Sequence, residues 1–366
     1  MSDRIRTAIH VLVVDDSAVV RQVMQGVLGS DPQFRVSVAA DPIIAFAKMQ
    51  KEKPDVVITD LVMPRMDGLT FLKKIMAELP LPVIVCSEVA HRRTEDAISA
   101  LQLGAVEVIK KPKLDVRGFL EESRTMLHDV VRSAAQARVI TVSPPAPSRT
   151  ADEVLPLHTP SDNARPGGRH IVTNRVIAVG ASTGGTEALR EFLSAMPLDC
   201  PGIVIVQHMP EIFTRAFANR LNEDCAIEVR EAADGDEIRP GRALIAPGNH
   251  HLIVQGNSSH YRVQVTDGPL VSRHRPSVDV LFRSVANVVG SSAVGIILTG
   301  MGNDGAQGLL EMRNRGAATI AQDESSCVVF GMPKEAIARG AALAVVPLRH
   351  ISNTALMMSG RCCPTE

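Results

Sequence analysis

The stretch HVLVVDDSAVVRQVM, residues 10–24, decides the fold of the first part of the chain. A short apolar run, rich in β-branched residues, ends in two aspartates, and a helical pattern follows. Four similar apolar runs come later: RVSVAA (35–40), DVVITD (55–60), PVIVCS (82–87) and VEVIK (106–110). Continuous apolar strands are typical of sheets buried on both faces. The repetition therefore predicts a parallel α/β sheet that binds ligands at the carboxyl ends of its strands.

The 366 residues are enough for two or three domains. After a helical pattern near residues 115–132, the segment 140–170 is rich in Pro, Ser, Thr and Arg, as linkers are. We therefore predict a first domain over residues 1–132, a flexible linker over 133–170 and a second domain over 171–366.

Apolar runs and helical patterns alternate again after the linker. The runs are RVIAVGAS (175–182), GIVIVQH (202–208), ALIAP (243–247), HLIVQ (251–255), AVGIILTG (293–300) and ATIAQD (318–323). They predict a second α/β domain, which we expect to be doubly wound and mainly parallel. A short antiparallel insertion is expected at residues 243–266.

Composition excludes several classes of protein. The formal net charge is −1 and the pI is about 6.8, so no basic field favours nucleic acid or an anionic membrane surface. No run approaches the roughly 20 apolar residues that span a bilayer, and no signal peptide is recognisable. We therefore expect a cytoplasmic protein.

Three carboxylates are expected at one edge of the first sheet. Asp15 and Asp16 end the first strand and Asp60 ends the third. Because three anions repel one another, the arrangement favours a bound Mg²⁺, beside which a carboxylate can accept a phosphoryl group. Ser87 and Lys111 follow the fourth and fifth strands and can hold added phosphoryl oxygens. A single such aspartate would more simply cap a helix.

A Gly-rich turn around Ser182 is the second candidate site. The sequence VIAVGASTGGTEALREF, residues 176–192, predicts a strand, a turn and a helix, and residues 180–184 match G-x-S-x-G. Such turns also cradle phosphates and dinucleotides, but the G-x-G-x-x-G fingerprint and the P-loop lysine are absent. Nucleotide binding is therefore the less favoured alternative.

A serine nucleophile needs a base, and the base needs a group that fixes its tautomer. His208 ends the strand GIVIVQH, and Asp304 starts a helix after the strand AVGIILTG, where it would otherwise serve as an N-cap. Since all three residues follow apolar strands, we expect Ser182, His208 and Asp304 to form a catalytic triad. The chain order Ser, His, Asp argues against the α/β-hydrolases. Other histidines remain alternatives for the base: His250, His251 and His274.

Residues 8–130 resemble the receiver domain of two-component response regulators. The strings VVDDSAVVRQVM, PDVVITDLVMPRMDG and IKKP carry the resemblance. It implies a flavodoxin-like, five-stranded parallel sheet. It also implies that Asp60 is phosphorylated, that Asp15 and Asp16 join it in holding Mg²⁺, that Ser87 is the switch hydroxyl and that Lys111 contacts the phosphoryl group.

Residues 173–350 resemble the catalytic domain of the chemotaxis protein-glutamate methylesterase family. The matching strings include GASTGGTEAL, VIVQHMP, APGNHHL, DGPLVSRHRPSVDVLF, LTGMGNDGAQGL and SCVVFGMPKEAI. The resemblance implies Ser182 as nucleophile, His208 as general base and acid, and Asp304 as its orienter. It further implies that Met301 contributes its backbone amide to an oxyanion hole and that Thr183 assists.

Together the resemblances imply a phosphorylation-activated serine hydrolase. It would remove methyl groups from glutamate methyl esters on chemoreceptors, release methanol and deamidate receptor glutamines, with no cofactor for hydrolysis. The implied partners are the cytoplasmic helices of methylated or amidated chemoreceptors and a chemotaxis-type histidine kinase as phosphodonor. We expect a monomer that binds no nucleic acid and does not insert into membranes.

Two other functional classes remain as alternatives. One is a binding regulator with a degenerate hydrolase domain, against which the complete set of Ser182, His208 and Asp304 argues. The other is an esterase for a small diffusible substrate. With one Tyr and no Trp in the chain, the sequence gives no signal of a deep pocket with aromatic walls for such a substrate.

Overall fold

The computed structural model describes residues 8–87, 91–111, 119–137, 175–257 and 260–360. In the first domain, strands and helices alternate. The strands are β1 (Ile9–Val14), β2 (Phe34–Ala39), β3 (Val56–Asp60), β4 (Val83–Ser87) and β5 (Glu107–Lys110). The helices are α1 (Ala18–Gly29), α2 (Pro42–Lys51), α3 (Gly68–Glu78), α4 (His91–Gln102) and α5 (Phe119–Gln136).

The five strands form one parallel sheet in the order β2-β1-β3-β4-β5. This confirms the predicted flavodoxin-like fold. Side chains at the strand ends fix where the helices begin: Ser17 accepts from Val20 N at the start of α1, and Asp41 accepts from Ile43 N at the start of α2. Because β1 and β3 are neighbours, the aspartates that follow them lie at the same edge.

The last helix of the first domain extends past the predicted boundary at residue 132. Helix α5 continues to Gln136, so the first four residues assigned to the linker, 133–136, are helical. Residue 137 follows the helix, and residues 138–170 of the predicted linker lie outside the described residues.

A seven-stranded parallel sheet forms the centre of the second domain. Its order is β15-β14-β13-β6-β7-β10-β8. The strands are β6 (Val176–Ala181), β7 (Gly202–Gln207), β8 (Glu228–Glu231), β10 (Arg242–Ile245), β13 (Ala293–Ile297), β14 (Ala318–Gln322) and β15 (Ala344–Val346). The helices are α6 (Gly185–Ser194), α7 (Glu211–Asp224), α8 (Val278–Val288), α9 (Ala306–Asn314), α10 (Met332–Ala338) and α11 (Leu348–Met358). The central strand β6 continues to β7 on one side and borders β13 on the other. Doubly wound sheets bind ligands at such switch points.

The predicted antiparallel insertion is present with different limits. A small sheet joins β9 (Glu237–Ile238), β11 (His251–Asn257) and β12 (His260–Thr266) in the order β11-β12-β9. Residues 242–245, where the insertion was expected to start, instead pair in parallel with β7 and β8. Their side chains are mostly buried. This burial explains why the segment is an inner strand of the large sheet and not part of the insertion at the surface.

The two domains pack against each other. Helix α4 lies on α6 and α7, and apolar residues of α4, Ile98 and Leu101, share a cluster with Phe217 and Leu221 of α7. Within the described ranges, no helix is long and apolar enough to cross a membrane.

Candidate functional site

The structure brings the acidic residues of the first domain together at one edge of the sheet. Asp15, Asp16 and Asp60 offer carboxylate oxygens within 4.8 Å of one another. Lys111 Nζ lies 2.7 Å from Asp60 Oδ2 and 2.9 Å from Asp15 Oδ2. Ser87 is buried one position beyond Cys86, which pairs with Asp60 across β3 and β4. The predicted site residues thus meet at one edge of the sheet.

Burial and the lysine set the charges of this site. Burial of Asp60, which is 4% exposed, raises the pKa of its carboxyl, although the hydrogen bond from Lys111 opposes the shift. Burial also disfavours the charge of Lys111, but its hydrogen bonds to Asp15 and Asp60 prevail and raise its pKa to about 12. One ammonium group therefore faces clustered carboxylates, an arrangement that is compatible with a further cation.

Ser182 lies between the end of β6 and the start of α6. Gly184, with φ of 78°, turns the chain, and Gly185 N donates to Ser182 O at 2.7 Å. A Cβ on Gly185 would stand 2.2 Å from Gln207 Oε1, which explains the second glycine of the turn. The serine consequently sits at a helix N-terminus, whose amides favour negative charge.

Gln207, which the sequence analysis missed, helps to fix the serine. Its Nε2 donates to Ser182 O at 2.9 Å and to His208 O at 3.1 Å. The signal in the sequence was a polar residue at the end of the apolar run GIVIVQ.

The loop after β13 packs directly on Ser182. Ser182 N donates to Thr299 O at 3.0 Å, and a Cβ on Gly300 would stand 2.7 Å from Ser182 Cβ. Thr299 Oγ1 also donates to Thr183 O at 3.0 Å. Met301 follows Gly300, which brings its backbone close to the serine. Its contribution to an oxyanion hole stays a prediction.

His208 and Asp304 meet beside Ser182. Ala181 pairs with Gln207 across β6 and β7, so Ser182 and His208 are the next residues on strands about 4.8 Å apart. His208 Nε2 lies 2.9 Å from Asp304 Oδ2. His208 Nδ1 is buried and has no hydrogen-bond partner among the described residues. It is the nitrogen left to accept a proton.

Asp304 also accepts hydrogen bonds from the start of α8. Ser277 Oγ donates to Oδ1 at 2.8 Å, Val278 N to Oδ2 at 2.8 Å and Asp279 N to Oδ1 at 3.1 Å. Burial alone would raise the pKa of Asp304, but the bond from His208 and the helix amides hold it below its ordinary value. Asp304 therefore remains an anion that orients His208.

The contacts of the alternative histidines distinguish them as candidates for the base. His250 Nδ1 pairs with Asp267 at 2.8 Å, and His251 is held between Pro269 O and Ser277 N. His274 instead stacks on His208, with ring centroids 3.7 Å apart. From sequence, His274 was one of the alternative bases, and it lies in DGPLVSRHRPSVDVLF, one of the strings that match the family.

Glu107 of β5, in the first domain, contacts the turn that carries Ser182. Thr183 Oγ1 donates to Glu107 Oε2 at 3.2 Å. Burial raises the pKa of Glu107 to about 7. On the other side of the site, Arg273 pairs with Asp129 of α5 at 3.0 Å. The receiver-like domain thus contacts residues next to both Ser182 and His274.

Comparisons with known proteins match both parts of the chain. The family model for the CheB methylesterase matches residues 177–355, and that for the response regulator receiver domain matches residues 11–117. The solved CheB methylesterase catalytic domain of Thermotoga maritima is 36% identical with a TM-score of 0.50, and the match covers 51% of this chain and 100% of that one.

Curated relatives match nearly the whole chain. One from Geobacter metallireducens, named protein-glutamate methylesterase/protein-glutamine glutaminase 3, is 56% identical over 96% of this chain and 99% of its own length. One from Rhodospirillum rubrum, with the same name and the number 2, is 54% identical over 96% of this chain and 99% of its own. The chain therefore belongs to the protein-glutamate methylesterase/protein-glutamine glutaminase family, with a receiver domain ahead of a CheB methylesterase domain.

Proposed function

We propose that this protein is a phosphorylation-activated serine hydrolase that demethylates glutamate methyl esters and deamidates glutamines on chemoreceptors. One observation carries the chemistry: Ser182 and His208 end neighbouring strands, and Asp304 holds the far nitrogen of His208 at 2.9 Å. The names of the relatives supply the substrate class.

In the first step, Ser182 Oγ attacks the side-chain carbonyl carbon of a methylated glutamate. Nδ1 of His208 accepts the serine proton, because Asp304 keeps the remaining ring proton on Nε2. The imidazolium then protonates the departing methoxide, and methanol leaves. The negative charge that develops on the carbonyl oxygen is met by the amides at the start of α6 and by Met301 N–H.

In the second step, water hydrolyses the acyl-enzyme. His208 accepts a proton from the water and returns it to Ser182 Oγ, and a glutamate side chain is released. A glutamine side chain enters the same cycle with ammonia as the leaving group. Thr183, beside the nucleophile, assists by holding the turn through its contact with Thr299.

Phosphorylation of Asp60 controls access to this site in our proposal. Asp15, Asp16 and Asp60 fit a Mg²⁺ ion, since all are oxygen donors within 4.8 Å of one another. Bound there, the ion supplies charge neutralisation for phosphoryl transfer. Lys111 and Ser87 hold the added oxygens, and Lys111 must then leave its present position between Asp15 and Asp60.

The unphosphorylated receiver restrains the hydrolase by contact. Glu107 reaches Thr183, the residue after the nucleophile, and α4 covers α6 and α7. A large receptor helix cannot approach Ser182 while this contact persists. We propose that phosphorylation loosens it, with a chemotaxis-type histidine kinase as the phosphodonor and the cytoplasmic protein acting as a monomer.

Methanol release from methylated receptor tests the function. The full chain with a phosphodonor should release methanol, and Ser182→Ala should abolish the release without unfolding the protein. Ser194→Ala, on the exposed end of α6, is the matched control and should remain active. If wild-type protein releases no methanol yet binds receptor in a phosphorylation-dependent way, the chain is a binding regulator and the proposal is wrong.

A further inference from the structure

The ring of His274 lies flat on the ring of His208. Their centroids are 3.7 Å apart and their planes are within 3° of parallel. Aromatic rings usually prefer offset or edge-to-face arrangements, so the surrounding structure must impose this stack. His274 Nδ1 is buried, with no hydrogen-bond partner among the described residues. No side-chain hydrogen bond at that atom accounts for the position of the ring.

A strained turn presents His274 to His208. Ser272 and Arg273 have φ values of 51° and 68°, in the left-handed region that side chains disfavour. Val271 and His274 close the turn through two backbone hydrogen bonds of 2.9 and 3.1 Å. Strain of this kind is concentrated where a precise geometry is required. The geometry achieved here is contact with His208.

His274 stays neutral at working pH. Burial, with a smaller contribution from the neighbouring His208, lowers the pKa of His274 to about 4. Its ionisable neighbours are His208 and Asp304 across the stack and Arg273 on its own turn. Because His274 carries no charge, it does not compete with the positive charge that His208 gains when it accepts the serine proton.

A metal site is the other arrangement to consider for these residues. His208, His274 and Asp304 offer ligand atoms within 4.8 Å of one another. However, nitrogen lone pairs lie in the planes of the rings, so in parallel rings they run side by side and do not converge on one ion. Both oxygens of Asp304 already accept hydrogen bonds. The geometry therefore favours support of one ring by the other.

We propose that His274 is a positioning residue whose flat ring fixes the plane of His208, with Nε2 on Asp304 and Nδ1 towards Ser182. The inference rests on the proposed hydrolase function. It requires a flat ring at position 274 and no proton transfer by that ring, which has a hydrogen bond to the Ser272 backbone on its own turn. Loss of the ring should lower kcat and leave KM unchanged, because His274 acts through His208 and not on the substrate.

Three variants of the full chain separate these properties in the methanol-release assay with phosphodonor. His274→Phe keeps a flat ring, and His274→Leu keeps apolar volume without one. His250→Leu changes a nearby histidine that touches Asp267 and not His208. We expect kcat to fall roughly tenfold in His274→Leu, as for loss of a stacked pair, and to stay within about twofold in His274→Phe and His250→Leu. If His274→Leu fails to fold, His274→Gln replaces it under the same criterion.

Several results would overturn the proposal. If His274→Phe loses as much activity as His274→Leu, a ring nitrogen is needed, for proton transfer or for a metal. A shifted acid limb in the pH profile of His274→Phe would also show that a ring nitrogen is needed. Unchanged kcat in a folded His274→Leu would remove any role for the residue.

Labelling by a fluorophosphonate distinguishes failure of this inference from failure of the proposed function. The reagent needs an activated Ser182 but no methylated substrate. If the wild type is labelled rapidly and releases no methanol, the substrate assignment is wrong, and the labelling rates of the variants still test His274. Slow labelling of His274→Leu, with rapid labelling of His274→Phe, supports the positioning role.

Discussion

His208 Nε2 lies 2.9 Å from Asp304 Oδ2, although 96 positions separate the two residues in the chain. The bond forms because β7 and β13 flank the same central strand, β6. It leaves Nδ1 of His208 for the serine and makes Asp304 the link between the base and helix α8.

Replacing Asp304 by asparagine should reduce kcat by about 10⁴, since a neutral amide cannot hold the productive tautomer of its histidine partner. Methanol release by the full chain with phosphodonor measures the effect. Asp279→Asn is the matched control, because Asp279 also lies at the start of α8 but accepts from Gly308 N at 2.7 Å and not from His208. Equal losses in the two variants would show that general damage to α8, not the tautomer, is responsible.

Ser277 should matter for both stability and rate. Its hydroxyl donates to Asp304 at 2.8 Å and accepts from Val280 N as the N-cap of α8. Ser277→Ala should lower the free energy of unfolding by about 1 kcal/mol, as loss of a cap does, and should also lower kcat. Ser277→Thr keeps the hydroxyl and should restore most of both quantities. Urea unfolding and methanol release are the measurements, and full activity of Ser277→Ala would contradict the prediction.

The strand-end residues of both sites could be predicted from sequence because they depend on local patterns. Asp15, Asp60, Ser182 and His208 follow apolar strands, and a parallel sheet brings such positions to one edge whatever the loops do. The order of the strands in the second sheet was harder to predict from the sequence. Strand β10 enters between β7 and β8 through long-range pairing, so its segment was expected in the antiparallel insertion.

Contacts between distant loops account for what the sequence did not predict. His274 contacts His208 because the backbone at Ser272 and Arg273 is left-handed. The residue types at these two positions do not predict that conformation. The contact of Glu107 with Thr183 joins separate domains. Nothing in the strand VEVIK distinguishes a docked glutamate from a solvated one.

Gly300 should tolerate no side chain. An added Cβ would stand 2.4 Å from Met332 Sδ and 2.7 Å from Ser182 Cβ, so Gly300→Ala must push the loop away from the nucleophile. Misplacement of about 1 Å can cost on the order of 10²-fold in rate. Gly26→Ala, in helix α1 with no atom within 4 Å of the new Cβ, is the control for the substitution itself. Methanol release within a few fold of wild type in a folded Gly300→Ala would contradict this packing.

Glu107 should make the restraint by the receiver depend on pH. Burial raises its pKa from 4.5 to about 7 in the docked state. A carboxyl with a raised pKa favours docking while it is protonated, so docking is strongest below pH 4.5 and is progressively lost as the pH rises towards about 7. Above that pH the docking free energy should level off.

The ratio of basal to phosphodonor-stimulated methanol release isolates this effect, because the pH dependence of hydrolysis itself cancels. We expect the ratio to rise several-fold between pH 5 and 7 in the wild type, in line with the direction of the shift. Glu107→Gln cannot ionise, yet its side-chain carbonyl can still accept from Thr183. The variant should therefore give a flat ratio, and at pH 7.5 its basal activity should be lower than that of the wild type, since docking no longer carries the cost of a buried charge. Parallel ratio curves for the two proteins would mean that another group controls docking.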